Sequence, residues 1–246
     1  MTHRYYVPDL PPTGGSVLLP TTEAHHARTV MRVRSGDAIE LFDGRGGVAD
    51  ACIEAIDKRQ VACQVQPPRD DSRLPRRTVI LAVGLPKGDR AKFLVEKITE
   101  LGVARCVPLQ CQRSQWTPSA GALEKLRRAM LEACKQSGRN QLLQIDSPMP
   151  ASDWWTQDAE QAAIRLLAHP PLAPAAQSGE DVRQVWPEQL DNPEQPIRIA
   201  VGPEGGFTAE EVTAARAAGW QTVALGRLVY RIETAALAMA TLAIHR

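Results

Sequence analysis

From Thr78 onward the sequence alternates short apolar runs with amphipathic segments, and this pattern constrains the fold more than any other feature. The runs TVILAVGL, ARCVPLQ, AIRLLAH, IRIAV and TVALG are typical of strands that are buried on both faces. Between the first two runs, Leu94, Ile98 and Leu101 recur at helical spacing. Strands that alternate with helices predict an α/β fold with a parallel sheet.

Short-range signals predict where the helices begin and end. Gly102 directly follows DRAKFLVEKITEL and predicts a C-cap, because glycine readily adopts the left-handed conformation that ends a helix. Thr208 and Glu211 have the T-x-x-E spacing of a capping box, and Gly219 predicts the end of the helix that the box begins. A further predicted helix, LEKLRRAMLEACKQSGR, has an apolar stripe opposite a basic face, which carries Lys125, Arg127, Arg128 and Lys135.

The first seventy residues follow a different pattern. The segment DAIELFDGRGGVADACIEAIDKRQVACQVQ alternates apolar and polar residues, with Asp43-Gly44 and Gly46-Gly47 as turns, and TTEAHHARTVMRV predicts one short helix before it. We therefore expect a small β-barrel domain over residues 1–70 and an α/β domain over residues 71–246. The proline- and charge-rich segment 67–77 is typical of a linker, and the weakly patterned stretch 173–196 predicts a surface excursion.

The charge of the chain is unevenly distributed. The formal net charge is +1, but residues 71–140 carry 14 basic and 6 acidic side chains, a net charge of +8. The segments on either side are net acidic. A basic segment of this kind favours a surface that binds a polyanion. The other interpretation is a solvated helix surface that pairs with the acidic C-terminal part, and the charge count leaves both open.

Missing motifs argue against several common kinds of site. G-x-G-x-x-G and G-x-x-x-x-G-K-[ST] are absent, which speaks against a Rossmann dinucleotide site and a P-loop. G-x-S-x-G and H-E-x-x-H are absent as well, and the five histidines do not cluster at ligand spacing. The five cysteines form an odd set without a C-x-x-C pair, which indicates reduced thiols in a cytoplasm rather than disulfides or a zinc site. We expect no metal.

The sequence gives no sign of secretion or of a membrane span. The first residues, MTHRYYVPDLPP, contain no apolar stretch long enough for a signal peptide. The most apolar run, TAALAMATLAI, is too short to cross a bilayer. A cytoplasmic protein without a membrane partner is therefore expected.

Unusual residues follow three of the predicted strands, in LLAHP (166–170), VGPEGGF (201–207) and LGRLVYRIET (225–234). Ligands of open parallel sheets bind beyond the carboxyl ends of the strands, and glycines there let main-chain groups contact a flat ligand such as a purine. The alternatives are a tight strand-to-helix turn for the glycines and helix capping by Glu233 or Thr234. Neither alternative accounts for Arg231, whose positive charge is unfavourable at a helix start unless an anion binds there.

These segments resemble a known family. GPEGGFTAEEV followed by LGRLVYRIETAALAMATLA resembles the C-terminal signature of the SPOUT methyltransferases and, more narrowly, of the ribosomal RNA small subunit methyltransferase E family. KGDRAKFLVEKITELGV, QRSQW, EACKQSGRN and HHARTVMRVRSGDAIELFDGRGG resemble further elements of that family, so the likeness covers nearly the whole chain. There are two departures: Arg227-Leu228 stands where the family usually has Pro-Arg, and QLLQ follows SGRN where a proline is often nearby.

The resemblance implies an enzyme that methylates N3 of a specific uridine in 16S ribosomal RNA with S-adenosylmethionine as cofactor. It implies a C-terminal SPOUT-type parallel sheet with a trefoil knot at about residues 165–246, preceded by a PUA-like β-barrel that binds RNA. Homodimers that act on 16S rRNA or the assembled 30S subunit are expected. The residues implied in cofactor binding are Leu167, His169, Val201, Gly202, Pro203, Glu204, Gly205, Gly206, Leu225, Gly226, Leu228 and Tyr230.

The resemblance also implies catalytic and RNA-binding residues. Arg231, Glu233 and Thr234 fall on the expected motif positions. Since uridine N3 must lose its proton before it attacks a methyl group, Arg231 is expected to stabilise the resulting negative charge. Glu233 is expected to orient the base or remove the proton, with Glu204 as the alternative base. The cations expected to contact RNA phosphates are Arg28, Arg32, Arg34, Lys87, Arg90, Lys92, Lys97, Arg113, Arg127, Arg128, Lys135 and Arg139.

Three other functions stay open at this point. The same fold is compatible with methylation of a ribose 2′-oxygen or of another base nitrogen. A non-catalytic RNA-binding factor is supported only by the Arg227-Leu228 departure. A nucleotide-dependent factor that uses the glycine loop for phosphate is disfavoured, because no lysine stands beside GPEGG.

Overall fold

The computed structural model describes residues 2–157, 162–170, 192 and 194–245, so most of the predicted excursion 173–196 lies outside the described residues. The chain divides into two compact units. The first comprises Met1–Leu74 together with Leu131–Leu142, and the second comprises Pro75–Met130 together with Leu143–Arg246.

The first unit contains a six-stranded mixed sheet in the order β1-β3-β4-β5-β2, with β6 paired to β4. The first strand pairs in parallel with β3, and the other neighbours are antiparallel. Side chains such as Tyr5, Leu41 and Ile53 are buried in its core. The strands are β1 (His3–Tyr6), β2 (Gly15–Leu18), β3 (Ala38–Phe42), β4 (Gly47–Ile56), β5 (Val61–Val65) and β6 (Arg69–Asp70).

The predicted short helix in this unit is present in two parts. Helix α1 (Thr21–His26) continues into a π-helical turn (Ala27–Met31), which ends at Arg32 in the left-handed conformation with φ 53°. The predicted linker 67–77 is more ordered than its composition indicates. Arg69 and Asp70 form β6 on the edge of β4, and Arg77 is buried with its guanidinium donating to the carbonyls of Asn192 and Ala243.

The second unit contains a seven-stranded sheet in which every pair of neighbours is parallel. Its order is β10-β8-β7-β12-β11-β13, with β9 paired to β8. The predicted parallel α/β architecture is therefore confirmed. The strands are β7 (Val79–Val83), β8 (Arg105–Gln110), β9 (Gln144–Ile145), β10 (Met149–Pro150), β11 (Ile164–Ala168), β12 (Ile197–Val201) and β13 (Gln221–Val223).

Helices cover this sheet because the side chains of its central strands are mostly apolar. On one face, Ala82, Leu167 and Ala200 pack with Trp154 and Trp220 in a buried cluster. The last helix, α6, packs on β7 and β12 and against α2. In the part of the chain that the structure describes, none of the helices is long and apolar enough to cross a membrane. The helices are α2 (Asp89–Leu101), α3 (Ala120–Ser137), α4 (Ala151–Thr156), α5 (Ala209–Ala217) and α6 (Ile232–His245).

The predicted helix signals are confirmed at two helices and revised at a third. Gly102 caps α2 with φ 90°, and the Thr208–Glu211 capping box opens α5 with both of its hydrogen bonds formed. Helix α6 begins at Ile232, two residues before the apolar run that begins at Thr234. Glu233 and Thr234 therefore lie inside its first turn, so neither precedes the helix as its N-cap residue, but the carboxylate of Glu233 lies at the helix N-terminus as the capping interpretation expected.

The register of the sheet aligns four strand ends in one row. Val83 lies opposite Val201, Val201 opposite Ala168, and Ala168 opposite Val223. The ladder extends by one residue at two places, because the Gly84 N–H donates to the Val201 carbonyl (2.9 Å) and the His169 N–H to the Val223 carbonyl (3.0 Å). The segments that follow these four strands consequently leave the sheet side by side.

Candidate active site

A cleft with a volume of about 700 Å³ lies beyond the aligned strand ends. Three segments form its walls, and each begins with the last residue of a strand: residues 168–170 from β11, residues 201–207 from β12 and residues 223–232 from β13. Within the third segment, Ala224 and Arg227 do not line the cleft. Two arginines, Arg90 from α2 and Arg113 from the loop after β8, also line it. All three segments with unusual residues thus meet in one place, as expected for ligand sites in parallel sheets.

The glycines of the loop after β12 are required by close packing. A Cβ atom at Gly202 would lie 3.2 Å from the Phe207 ring, and one at Gly205 would lie 3.0 Å from Cβ of Arg113. Arg113 also donates from Nη1 to the Gly205 carbonyl at 2.9 Å. Behind the loop, a Cβ at Gly84 would lie 2.6 Å from the backbone nitrogen of Pro203. The tight-turn interpretation therefore explains Gly202 and Gly205, and the loop it forms is a wall of the cleft.

Arg90 connects two carboxylates at the cleft. Its Nε and Nη2 atoms donate to Oε1 and Oε2 of Glu233 at 3.1 and 2.7 Å, which is a bidentate ion pair. Its Nη1 atom donates to Oε1 of Glu204 at 3.1 Å. Arg90 lies in the first turn of α2, Glu233 in the first turn of α6, and Glu204 in the loop after β12.

The ion pair changes the acidity of Glu233. The hydrogen bonds from Arg90 hold the pKa of the Glu233 carboxyl below its ordinary value of 4.5, against the opposing effect of partial burial. A carboxylate whose pKa is lowered is a weak proton acceptor. This favours an orienting role for Glu233 over proton removal.

Most of the predicted cofactor-binding residues line the cleft. His169, Val201, Gly202, Pro203, Glu204, Gly205, Gly206, Leu225, Gly226, Leu228 and Tyr230 all line it. Leu167 does not. Its side chain is fully buried in the core of the sheet, because alternate residues of β11 point to opposite faces and Leu167 faces the tryptophan cluster.

Of the predicted catalytic residues, Arg231 and Glu204 line the cleft, and Glu233 reaches its edge through Arg90. Arg231 is exposed, and within the described residues it forms no ion pair. Thr234 is exposed and is not among the lining residues.

Sequence reasoning missed several residues of the cleft. Arg90 and Arg113 were expected to contact RNA, but they lie in the walls of the cleft. Arg90 could have been identified from its position, because it follows the carboxyl end of β7, and ligands of parallel sheets bind beyond the carboxyl ends of the strands. The other missed lining residues lie within two positions of the predicted ones and are Ala168, Pro170, Phe207, Val223, Val229, Ile232 and Ala235.

Two of the cations expected to bind RNA are buried and serve the first unit instead. The Lys135 side chain is 7% exposed and pairs with Glu23 at 3.1 Å and with Glu132 at 2.6 Å. Arg139 is 5% exposed, donates to the Gln141 carbonyl, and has its pKa lowered by burial. The expectation of phosphate contacts is wrong for these two, because a buried cation cannot reach a phosphate. The remaining predicted cations outside the cleft are at least partly exposed: Arg28, Arg32, Arg34, Lys87, Lys92, Lys97, Arg127 and Arg128.

Some of the exposed cations already have acidic neighbours. Lys92 lies 3.8 Å from Glu96, and Lys97 lies 2.7 Å from Glu100 on the same helix. Exposed pairs of this kind contribute little to stability and exchange readily with other anions. As for metals, the described residues contain no group of three or more histidine, cysteine or acidic side chains that is placed to hold an ion.

We expect Glu233→Gln to destabilise the protein by about 1–2 kcal/mol at pH 7, since it removes an ionised hydrogen-bond partner of Arg90. The folded-state pKa of Glu233 lies below its ordinary value of 4.5, so the stabilisation is present above that value and is lost as the pH falls below it. Urea unfolding of parent and variant between pH 3 and pH 7 measures the difference.

The matched control for this experiment is Glu124→Gln, because Glu124 is 60% exposed and its nearest cation, Arg127, is 3.9 Å away. This variant should match the parent within about 0.5 kcal/mol at every pH. A Glu233→Gln deficit that stayed constant from pH 7 to pH 3 would contradict the assignment.

Two family models match the sequence. A model described as RNA methyltransferase domain matches residues 72–244, and a model described as RNA methyltransferase PUA domain matches residues 19–66. The first spans all the strands of the parallel sheet and all the walls of the cleft.

Individual relatives agree with the family models. The ribosomal RNA small subunit methyltransferase E of Synechocystis is 31% identical over 89% of this chain and 70% of its own length. A Legionella pneumophila protein solved with the bound cofactor SAM has a TM-score of 0.85 and 27% identity, over 99% of this chain and 97% of that one. The ribosomal RNA small subunit methyltransferase E of Neisseria gonorrhoeae, solved with S-adenosyl methionine, has a TM-score of 0.83 and 28% identity, over 98% and 96%. The cleft at the strand ends, the two matching models and these relatives show that the chain belongs to the ribosomal RNA small subunit methyltransferase E family.

Proposed function

We propose that this chain is an S-adenosylmethionine-dependent methyltransferase that modifies N3 of a specific uridine in 16S ribosomal RNA. The observation that carries the proposal is the cleft, in which the segments after three adjacent parallel strands meet beside three guanidinium groups. Membership of the family supports the reaction class, and the names of the relatives support ribosomal RNA of the small subunit as the substrate.

The residues present fit such a cofactor. A volume of about 700 Å³ lies within the range of small-molecule sites. The backbone at Gly206 is open, since a Cβ atom there would meet no heavy atom within 4 Å. Main-chain groups of residues 201–205 and 225–228 would hold the adenine. When bound, the cofactor supplies a methyl group that is activated by a sulfonium.

The chain's own residues would position the base and balance its charge. Loss of the N3 proton leaves negative charge on the two oxygens of the uracil ring, and Arg231 would stabilise this charge. The position of Arg231 in the lining of the cleft supports this role. Arg113 closes the cleft along the loop after β12 through the Gly205 carbonyl. Holding both reactants in line is the larger part of catalysis in a transfer of this kind.

We further propose that the RNA is held through its phosphates by the exposed cations of the basic segment and by Arg28, Arg32 and Arg34. Such contacts set the register of the RNA without reading its sequence. Residues 1–70 would act as the PUA-like RNA-binding domain and residues 71–246 as the methyltransferase domain. The matching PUA model supports the first of these assignments.

The remaining proposals follow from the family resemblance. They are a SPOUT-type trefoil knot over about residues 165–246, a cytoplasmic location and a homodimer. A dimer would cover exposed apolar side chains of the cleft wall, because Leu228 and Val229 are 74% and 82% exposed. Supplying the protein with naked 16S rRNA and with the assembled 30S subunit, in separate assays, will show which of them is methylated.

The direct test supplies the purified protein with radiolabelled S-adenosylmethionine and 30S particles or 16S rRNA from a strain that lacks the modification. We expect label in 3-methyluridine at a single position, identified by nucleoside chromatography and RNA mapping. Label in a 2′-O-methyl nucleoside or in another base would replace the proposed target. Absence of label and of cofactor binding would support a non-catalytic RNA-binding factor.

In the same assay, Arg231→Ala should lower the rate of methyl transfer about 100-fold or more, because a charge-stabilising donor is lost. Its affinity for the cofactor, measured by calorimetry, should remain close to that of the parent. Equal turnover of variant and parent would remove Arg231 from the mechanism.

A second substitution tests the wall of the cleft. In Gly84→Ala the new methyl group meets the backbone of Pro203, which a change of side-chain rotamer cannot relieve, so the loop after β12 must move. We expect the dissociation constant for S-adenosylmethionine to rise at least about tenfold, or about 1.4 kcal/mol.

The control for Gly84 is Gly121→Ala in α3, where an added Cβ would meet no heavy atom within 4 Å. This variant should bind the cofactor as the parent does. If Gly84→Ala also bound it unchanged, the loop after β12 would not form the cofactor site.

A further inference from the structure

Three segments that are distant in the sequence converge on the side chain of Arg90. They are the start of α2, which carries Arg90 itself, the start of α6 with Glu233, and the loop after β12 with Glu204. Every nitrogen of the guanidinium is engaged: Nε and Nη2 by Glu233, and Nη1 by Glu204. This is a fork of donors that a lysine cannot reproduce.

The two carboxylates are held unequally. Glu233 has both oxygens on Arg90, its side chain is 12% exposed, and it is not among the residues that line the cleft. Glu204 has one oxygen on Arg90 at 3.1 Å, its side chain is 41% exposed, and it lines the cleft. Glu233 therefore anchors the guanidinium, whereas Glu204 is a lining residue of the cleft and binds Arg90 through Oε1 alone.

We propose that Arg90 is a positioning residue, which is fixed by Glu233 and in turn holds Glu204 as the carboxylate that meets the target base. This assignment rests on the proposed function and adds to it the division of roles between the two glutamates. It also accounts for a cation that lines the cleft although its three donor nitrogens already face protein carboxylates.

In the proposed reaction, a proton moves from the base to Glu204 and a methyl group moves to the base. One oxygen of Glu204 accepts the proton from the ring N–H of the base, and the nitrogen keeps the electron pair of that bond. The nitrogen then forms a bond to the methyl carbon as the carbon–sulfur bond breaks, with its electron pair remaining on sulfur. The products are a methylated base, a neutral thioether and a protonated Glu204.

A phosphate contact is the competing role for Arg90, and it was the expectation from the sequence. A phosphate would share the guanidinium with two carboxylates, since the three hydrogen bonds leave only one N–H on Nη1 and one on Nη2 for another acceptor. The two roles differ in measurable ways. Loss of a phosphate contact weakens RNA binding and lowers by about 1 the salt slope, which is the steepness with which the logarithm of the RNA binding constant falls with the logarithm of the salt concentration. Loss of a positioning residue instead lowers the rate of methyl transfer at saturating RNA.

The test compares Arg90→Gln, Arg90→Lys, Glu233→Gln, the double variant Arg90→Gln/Glu233→Gln, and Glu204→Gln with the parent. Single-turnover rates are measured at saturating RNA and cofactor. RNA affinity is measured at several salt concentrations, and thermal unfolding checks that each variant is folded at the assay temperature. The control is Arg216→Gln, an exposed arginine of α5 that donates to Thr222 and lies outside the cleft.

We expect Arg90→Gln and Glu233→Gln each to lower the rate about tenfold or more, with RNA affinity and salt slope unchanged. The double variant should be no slower than the slower single variant, since the two residues act as one unit. Arg90→Lys should recover only part of the rate. Glu204→Gln should have the largest effect, about 100-fold or more, as expected for loss of a general base.

Three results would overturn the assignment. They are a changed salt slope with an unchanged rate in Arg90→Gln, a larger loss in Glu233→Gln than in Glu204→Gln, and strictly multiplicative losses in the double variant. A parent protein that transfers no methyl group to RNA would instead reject the proposed function. An active parent combined with any of the three results rejects only the division of roles.

Discussion

The in-register pairing of four parallel strands is the constraint on which the rest of the structure depends. Because Val83, Val201, Ala168 and Val223 stand in one row, the segments that follow them leave the sheet at the same height. A shift of one strand by a single residue would turn its side chains to the other face and move its loop out of the cleft. The mostly apolar side chains of the three central strands, β7, β12 and β11, stabilise the sheet, since all of them are buried or partly buried.

Close backbone approach then shapes the walls of the cleft. Gly84 permits the end of β7 to touch Pro203, and Gly202 permits the same loop to fold back on Phe207. The capping box of Thr208 and Glu211 holds the other end of the loop, and the second oxygen of Glu211 receives the N–H of Gln112 at 2.8 Å. The loop after β12 is thus fixed at both ends, and the loop after β8 is attached to it. Such rigidity favours the positioning of reactants.

Two arginines and two glutamates determine the electrostatics of the cleft. Arg90 brings a positive charge between two carboxylates and lowers the pKa of Glu233. Arg231, the residue before α6 and two positions before Glu233, stays exposed at the cleft. An enzyme that removes a proton and then holds an anion needs one carboxylate that faces the substrate and a cation with a vacant side. Both Glu204 and Arg231 line the cleft, and in the proposed mechanism they take these two roles.

Much of this arrangement can be predicted from the sequence, because it depends on local chemistry. Apolar runs predict the strands, Gly102 and the T-x-x-E box predict helix ends, and the rule on strand ends predicts the walls of the cleft. Burial of charges is different, since it depends on neighbours that are distant in the chain. Lys135 has the spacing of an exposed helix face, and only its contact with Glu23, over a hundred residues away, makes it a buried partner.

The sequence by itself determined the parallel α/β class, the three segments that meet at the cleft and the family to which their motifs are similar. These properties depend on the spacing of hydrophobic residues and on short motifs, which are present in the sequence whatever its tertiary contacts are. Only the tertiary structure decided which cations are buried, that Leu167 faces the core, and that Arg90 joins Glu204 to Glu233. The physical reason is that an ion pair forms between side chains that are close in space. Folding brings the start of α2 to the loop after β12 and the start of α6, which both lie more than a hundred residues later in the chain.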